Sequence, residues 1–509
     1  MKTISEEKNA VVTSGTSGMA RASDSAANET PKAATEIETP SLARRLGLFD
    51  ATMIVMGGII GSGIFMNPHV VAMQVHTPWL ILGAWLIGGL IALAGAFIYS
   101  ELAVLRPEVG GQYAYLRDAY HPLVAFLYGW ALLLVIQSGG MAAVAITFAS
   151  YFKQLAGIPI SELSIAVVAL AVLTGINCLG VRAGTTAQNI LMVLKIGAIA
   201  ALVICGLAVA SAATSTPAPV ETVTTRGTGV TAPVVSMGAA LIPVMFAYGG
   251  WQTSSFVSGE LRNPRKDLPR GLALGVVGVV ILYLLVNLAC VRVLGPEGLA
   301  QTKTPATAVM MAALGRTGAS VIACGIAIST LGFLSQSILT APRVYYAMAE
   351  DKVFFKGVTW LDPRSRVPSV AIILQGALAI TIALSGKYEQ ILNYVVSADF
   401  IFFGLTAGCI FVFRRRQRRR LQGEAGRVEP AGAAARTATG PDYSLPRSSG
   451  QSLSRVPGHP VTTSLFMAAC WLVVISTIYK YPENAGLGLA IILGGIPVFF
   501  FWRWWRRNG

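Results

Sequence analysis

Twelve stretches of this chain are apolar for long enough to cross a lipid bilayer as helices, and no other feature narrows its fold so far. A hydrocarbon core about 30 Å thick takes about 20 apolar residues in helical form. The stretches are 48–71, 79–104, 122–152, 163–180, 187–212, 233–258, 271–294, 319–345, 368–386, 389–413, 461–479 and 485–502. Each is longer than a spanning barrel strand of about 9–11 residues. The expected fold is therefore an all-α integral membrane protein with 12 transmembrane helices. Composition agrees. Charged residues are 12% of 509, against about 25% in soluble chains, too few to coat several soluble domains. The six cysteines all lie in apolar runs and read as small packing residues.

The polar remainder divides the chain. Residues 1–43 are rich in Ser, Thr and Ala and have no apolar run. They read as a disordered cytoplasmic tail, not a signal peptide. Residues 44–413 hold spans 1–10. Residues 414–460 open with Arg414, Arg415, Arg416, Arg418, Arg419 and Arg420, then turn Ala-, Gly- and Ser-rich. They read as a basic, low-complexity cytoplasmic loop. Residues 461–505 hold the last two spans, and 506–509 form the C-terminus. An even number of spans puts both termini on one side. With that side cytoplasmic, inner segments hold 31 of the 39 Lys and Arg residues and outer loops hold 7. The positive-inside rule selects this orientation. It also accounts for the net charge of +15 without nucleic acid. The arginine run reads as a topology anchor beside anionic lipid.

Two spans carry clustered glycines. Span 1 contains Gly57-Gly58-Ile59-Ile60-Gly61-Ser62-Gly63, and span 6 contains Phe246-Ala247-Tyr248-Gly249-Gly250-Trp251. Each glycine weakens a helix by about 1 kcal/mol relative to alanine, so a cluster lets it unwind. Unwound backbone in a membrane is tolerated only where protein or an aqueous cavity satisfies it. There it can hold a zwitterion, with half-helix N-termini facing a carboxylate and half-helix C-termini facing an ammonium group. A packing explanation competes, because Gly57 and Gly61 form a GxxxG pair. The matching positions of the two clusters favour a site. If spans 1–5 and 6–10 are repeats, the broken helices are equivalent, and an odd number of spans per repeat makes the second inverted.

At these residues the sequence resembles the amino acid–polyamine–organocation superfamily, and within it the L-type amino acid transporter family. The resemblance covers roughly residues 45–505, apart from 414–460. It rests on the run at 58–65, on Gly110-Gly111-Gln112-Tyr113-Ala114-Tyr115-Leu116, on the span 6 motif, on Glu260-Leu261-Arg262-Asn263-Pro264, and on Arg343-Val344-Tyr345-Tyr346-Ala347. It implies a five-plus-five inverted repeat of the leucine-transporter type plus two helices, and L-amino acid transport by alternating access. By the same resemblance, Gly61, Ser62 and Gly63 would hold the substrate carboxylate. The amino group would face carbonyls near Ile59 and at Phe246, Ala247 and Gly249. Phe246 would gate the substrate, Ser329 would line the site region, and Lys195 would stand where sodium-coupled relatives bind sodium. Sodium-independent exchange of neutral L-amino acids is the expectation. Eukaryotic members carry a cysteine in the loop after span 3 that links a partner glycoprotein. Residues 153–162 have none, so no disulfide-linked heavy chain is expected.

Two charged residues lie deep inside spans, well away from their ends. Lys195 is about nine residues into span 5, roughly 13 Å deep at 1.5 Å per residue. A lysine there costs about 2.5–3.5 kcal/mol on insertion scales. Asp399 lies inside span 10, where the family pattern often has a neutral residue. This departure leaves a proton-coupled importer, or a carrier of cationic amino acids or polyamines, as alternatives. Glu260 is expected to cap and gate the inner end of span 6, and Gln252 to reach substrate or water. Glu101 and Arg106 are expected to form a network at the inner end of span 2. There is no Walker sequence, no metal-ligand spacing among the four histidines and no nucleophile–base pair, so neither cofactor nor enzymatic activity is expected. A sensor signalling through residues 414–460 is a more distant alternative.

Overall fold

The computed structural model describes residues 44–106, 109–212, 231–384, 388–425, 455–480 and 482–508. The expected tail at 1–43 lies outside them, as does most of the expected 414–460 loop. Among the described residues the chain is helical. Its only β-type pairing there is an isolated parallel bridge between Leu46 and Leu261.

The first apolar stretch is two helices, α1 (Leu48–Ile59) and α2 (Gly63–Gln74), bent by 43° at the break. Helix α3 (Pro78–Leu105) and the short α4 (Gln112–Ala119) follow. The third stretch is α5 (Pro122–Ala131), a π-helical turn at Leu132–Gln137, and α6 (Ser138–Ala156). Then come α7 (Glu162–Cys178) and α8 (Val181–Ala212). The sixth stretch is α9 (Thr231–Tyr248) followed by a 3-10 segment, Trp251–Glu260. Helices α10 (Pro264–Gln301), α11 (Pro305–Thr340), α12 (Pro342–Glu350), α13 (Ser369–Leu384), α14 (Tyr388–Ala425), α15 (Val461–Lys480) and α16 (Pro482–Asn508) complete the fold.

Among the described residues, seven helical segments are long and apolar enough to cross a membrane, and the bent α1–α2 pair makes an eighth. Helices α7 and α13 are apolar but shorter, with 17 and 16 residues. Large apolar side chains such as Ile204 and Leu472 face outward, as lipid contact requires. Between helices, small residues permit close approach, the usual device where lipid removes the hydrophobic drive. Gly271 and Gly275 of α10 receive Ala51 and Val55 of α1. A methyl group on Gly275 would stand 2.6 Å from Val55 Cγ1.

Several boundaries differ from expectation. Helix α14 runs 12 residues past Phe413, through the arginine run, where a loop was expected to begin. Two contacts hold its start. Arg414 makes a two-pronged ion pair with Glu101 at 2.8 Å on each arm. Arg416 donates to the carbonyl of Asp118. Arginine is also a good helix former, so neither propensity nor charge ends the helix. The network expected at the inner end of span 2 is present, with different partners. Glu101 takes Arg414, and Arg106 pairs with Asp118 at 2.7 Å. Arg343, at the end of the eighth apolar stretch, is fully buried.

Candidate functional site

The break in span 1 is where α1 stops at Ile59 and α2 starts at Gly63. It frees carbonyls that a continuous helix would use. Three consecutive ones are met by side chains from three other helices. Tyr283 of α10 donates to Ile59 O at 3.1 Å. Lys195 of α8 donates to Ile60 O. Ser329 of α11 donates to Gly61 O at 3.3 Å. Unwound backbone is thus held by protein, as a membrane interior demands.

The break in span 6 has a different form. Helix α9 ends at Tyr248, Gly250 adopts φ +102°, and the chain continues as a ten-residue 3-10 segment. Such runs seldom exceed about four residues. Here hydroxyl groups support the tighter winding. Thr253 Oγ1 donates to Gly250 O at 2.7 Å, Ser254 Oγ to Trp251 O at 3.2 Å and Ser255 Oγ to Gln252 O at 2.7 Å. Each bond reaches back three residues, the 3-10 repeat. The two breaks touch. A methyl group on Gly250 would lie 1.9 Å from Gly58 O, and one on Gly58 would lie 2.5 Å from Gly250 O. Tyr283 also bridges them, since its hydroxyl lies 3.3 Å from Ala247 O.

Between the breaks is a cavity of about 100 Å³, room for several water molecules at about 10–15 Å³ each. It is lined by Ile59, Gly61, Ser62, Gly63, Phe246, Ala247, Gly249 and Gln252, and also by Asp399. These nine include every backbone or side-chain position expected to meet substrate. Helix α2 opens at this cavity with Ser62 and Gly63, its N-terminal N–H groups and positive dipole end directed there. The carbonyl end of α9 approaches from the other break.

Lys195, Ser329 and Glu260 do not line the cavity. Lys195 is fully buried behind the span 1 break, and its Cε and Nζ lie 3.2 and 3.4 Å from where a Gly332 methyl would sit. It therefore stands between the unwound part of span 1 and α11. It makes no ion pair with Asp399 among the described residues. Ser329 flanks the same break from α11. Glu260 is fully buried at the end of the 3-10 segment. Its carboxylate pairs with Arg343, Nε–Oε1 at 2.5 Å and Nη2–Oε2 at 3.3 Å. Its carbonyl accepts from the backbone N–H groups of Arg45 and Leu46 at 2.9 and 3.0 Å.

Other wall residues escaped the sequence reading. Phe333, Gln336 and Ser337 come from α11, Thr253 from the 3-10 segment, and Gln137 from the end of the π-helical turn. Gln336 donates to Thr253 Oγ1. The two glutamines had a usable signal, a polar amide inside an apolar run. Tyr283 and Phe333 had none, because aromatic residues are ordinary packing in such helices.

Comparison with known proteins gives a concordant picture. A family model described as "Amino acid permease" matches residues 46–501. The serine/threonine exchanger SteT of Bacillus subtilis is 29% identical over 470 residues, covering 91% of this chain and 98% of that protein. The human large neutral amino acids transporter small subunit 2 is 28% identical over 477 residues, with 92% and 82% covered. The mouse b(0,+)-type amino acid transporter 1 is 28% identical over 385 residues, with 75% and 78% covered.

Proposed function

The chain belongs to the amino acid permease family, and from that premise we propose how its geometry carries amino acids across a membrane. The cavity between the broken helices is the substrate site. The substrate carboxylate sits on the backbone N–H groups and hydroxyl at Gly61, Ser62 and Gly63. The ammonium group faces the carbonyl side, at Ile59, Phe246, Ala247 and Gly249. The observation that carries this reading is the meeting of the two breaks at one cavity, an α-helical N-terminus on one side and a helix C-terminus on the other.

Twelve crossings arranged as a five-plus-five inverted repeat fit this arrangement, with both termini cytoplasmic in a bacterial-type inner membrane. Helix α3 packs on α10, and α6 on α11. These are second-with-seventh and third-with-eighth pairs, the equivalents across such a repeat. Alternating access then rocks the broken helices about the cavity. Phe246 covers the substrate, and the Glu260–Arg343 pair closes the inner side. Lys195 supplies a fixed cation behind the span 1 break, bonded to a carbonyl that a bound sodium ion would otherwise use. Transport is accordingly sodium-independent and proceeds by exchange. The SteT relative is named a serine/threonine exchanger, which supports exchange of small neutral L-amino acids. No disulfide-linked partner takes part.

Gly63 tests the cradle. A methyl group there would stand 3.2 Å from both Cα and Cβ of Ala247, so a leucine would fill the space that substrate needs. Gly63→Leu is expected to lower exchange by more than about tenfold, the effect of losing roughly 1.4 kcal/mol of substrate binding. The check is labelled L-serine uptake per molecule of inserted protein. Uptake equal to that of the unmodified protein would contradict the cradle.

A further inference from the structure

Across the cavity from the helix breaks lies a group that the amino acid cradle does not use. Asp399 comes from α14, which packs against α6 and the π-helical turn. Its Oδ1 is buried without a hydrogen-bond partner. No hydrogen bond or ion pair to Asp399 occurs among the described residues. The buried cation Lys195 is engaged at Ile60 O, behind the span 1 break. Two further acceptors on cavity-lining residues, the side-chain oxygens of Gln252 and Gln336, are also buried and unmet. An amide can turn to offer its NH₂ group; a carboxylate has no such option.

An uncompensated carboxylate in a low-dielectric site is costly unless it takes a proton or a cationic group meets it. Intramembrane acids of this kind mark substrate or ion pathways. A zwitterion cancels its own charges at the two breaks and leaves Asp399 unmatched. A second positive charge, on the substrate side chain, would match it. There is room, because Gly140 also lines the cavity and a methyl group added to it would meet no atom within 4 Å.

We propose that Asp399 determines specificity as the counter-charge for a cationic side chain, so that the carrier accepts dibasic L-amino acids alongside neutral ones. This rests on the reading of the two breaks as the cradle for the substrate's α-carboxylate and α-ammonium groups. It extends that reading from neutral substrates to the dibasic class.

The test uses the full chain in proteoliposomes loaded with unlabelled L-serine and L-arginine, with membrane potential clamped at zero. Uptake of labelled L-arginine, L-lysine and L-serine is measured for the unmodified protein, Asp399→Asn and Asp399→Glu. The unmodified protein is expected to take up arginine and lysine as well as serine. Asp399→Asn is expected to lower the arginine-to-serine ratio by at least about tenfold, as loss of one charge-assisted contact implies. Asp399→Glu is expected to restore most of it. Should the variants fail to insert, inhibition of serine uptake in the unmodified protein decides: arginine must compete at lower concentration than leucine. Serine uptake without arginine uptake overturns the proposal and leaves the transport reading intact. So does an unchanged ratio, or serine uptake driven by a proton gradient only when Asp399 is present. Absence of any amino acid uptake overturns both.

Discussion

Gly250→Ala is expected to abolish amino acid uptake, to below about one hundredth of the unmodified rate. Two independent costs fall on this position. Its φ of +102° is one that side-chain-bearing residues rarely adopt, a strain of about 1–3 kcal/mol. The new methyl group would also lie 1.9 Å from Gly58 O. That oxygen belongs to the last turns of α1, which α10 locks in place, so neither side can yield cheaply. The outcome is separation of the two broken helices and loss of the cavity between them. The neighbouring glycine supplies the contrast. At Gly249 a methyl group would lie 3.3 Å from Phe246 O, with no positive φ, so Gly249→Ala should be the milder change. Uptake per inserted molecule, measured for both variants, checks this. Equal activities would show that contact between the breaks is unimportant.

The second large effect is expected at the buried ion pair. Arg343 and Glu260 are both fully buried. Removing one member leaves an uncompensated charge, which costs about 3–5 kcal/mol, whereas replacing both with apolar residues of similar volume is often neutral. Arg343→Leu should therefore lower the folded-to-unfolded ratio by more than about a hundredfold. Adding Glu260→Leu should recover much of that loss. Thermal unfolding in detergent of the two single variants and the double variant measures the coupling. Full recovery of stability with impaired exchange would assign the pair to gating. Additive losses in the double variant would contradict the pairing as the source of the cost.

The elements that sequence could reveal are those with a local chemical anomaly. Clustered glycines in an apolar run located both breaks, and charges in spans located Lys195 and Asp399. Each is visible because the membrane makes glycine runs and ionisable groups expensive. The arrangements that sequence could not reveal depend on distant partners. The 3-10 winding of Trp251–Glu260 draws on hydroxyls at residues 253–255, which look unremarkable in the sequence. The start of the arginine run in α14 is held by Glu101, 313 residues from Arg414. The buried pairing of Arg343 has no local signal, because its partner, Glu260, is 83 residues away. Tyr283 carries no polar signal beyond one hydroxyl, yet it bridges both breaks. The GxxxG reading of Gly57 and Gly61 divides in the structure. Gly57 packs against Gln188 of α8, and Gly61 lines the cavity.

The two broken helices are proposed to form a sodium-independent amino acid exchange site. The most direct test is labelled L-amino acid uptake into proteoliposomes, with and without internal amino acid and with and without sodium. Uptake is expected to require an internal amino acid and to be unchanged when sodium is replaced by choline, because Lys195 already occupies the carbonyl of Ile60. Uptake that depends on a sodium gradient, with no need for internal amino acid, would contradict it.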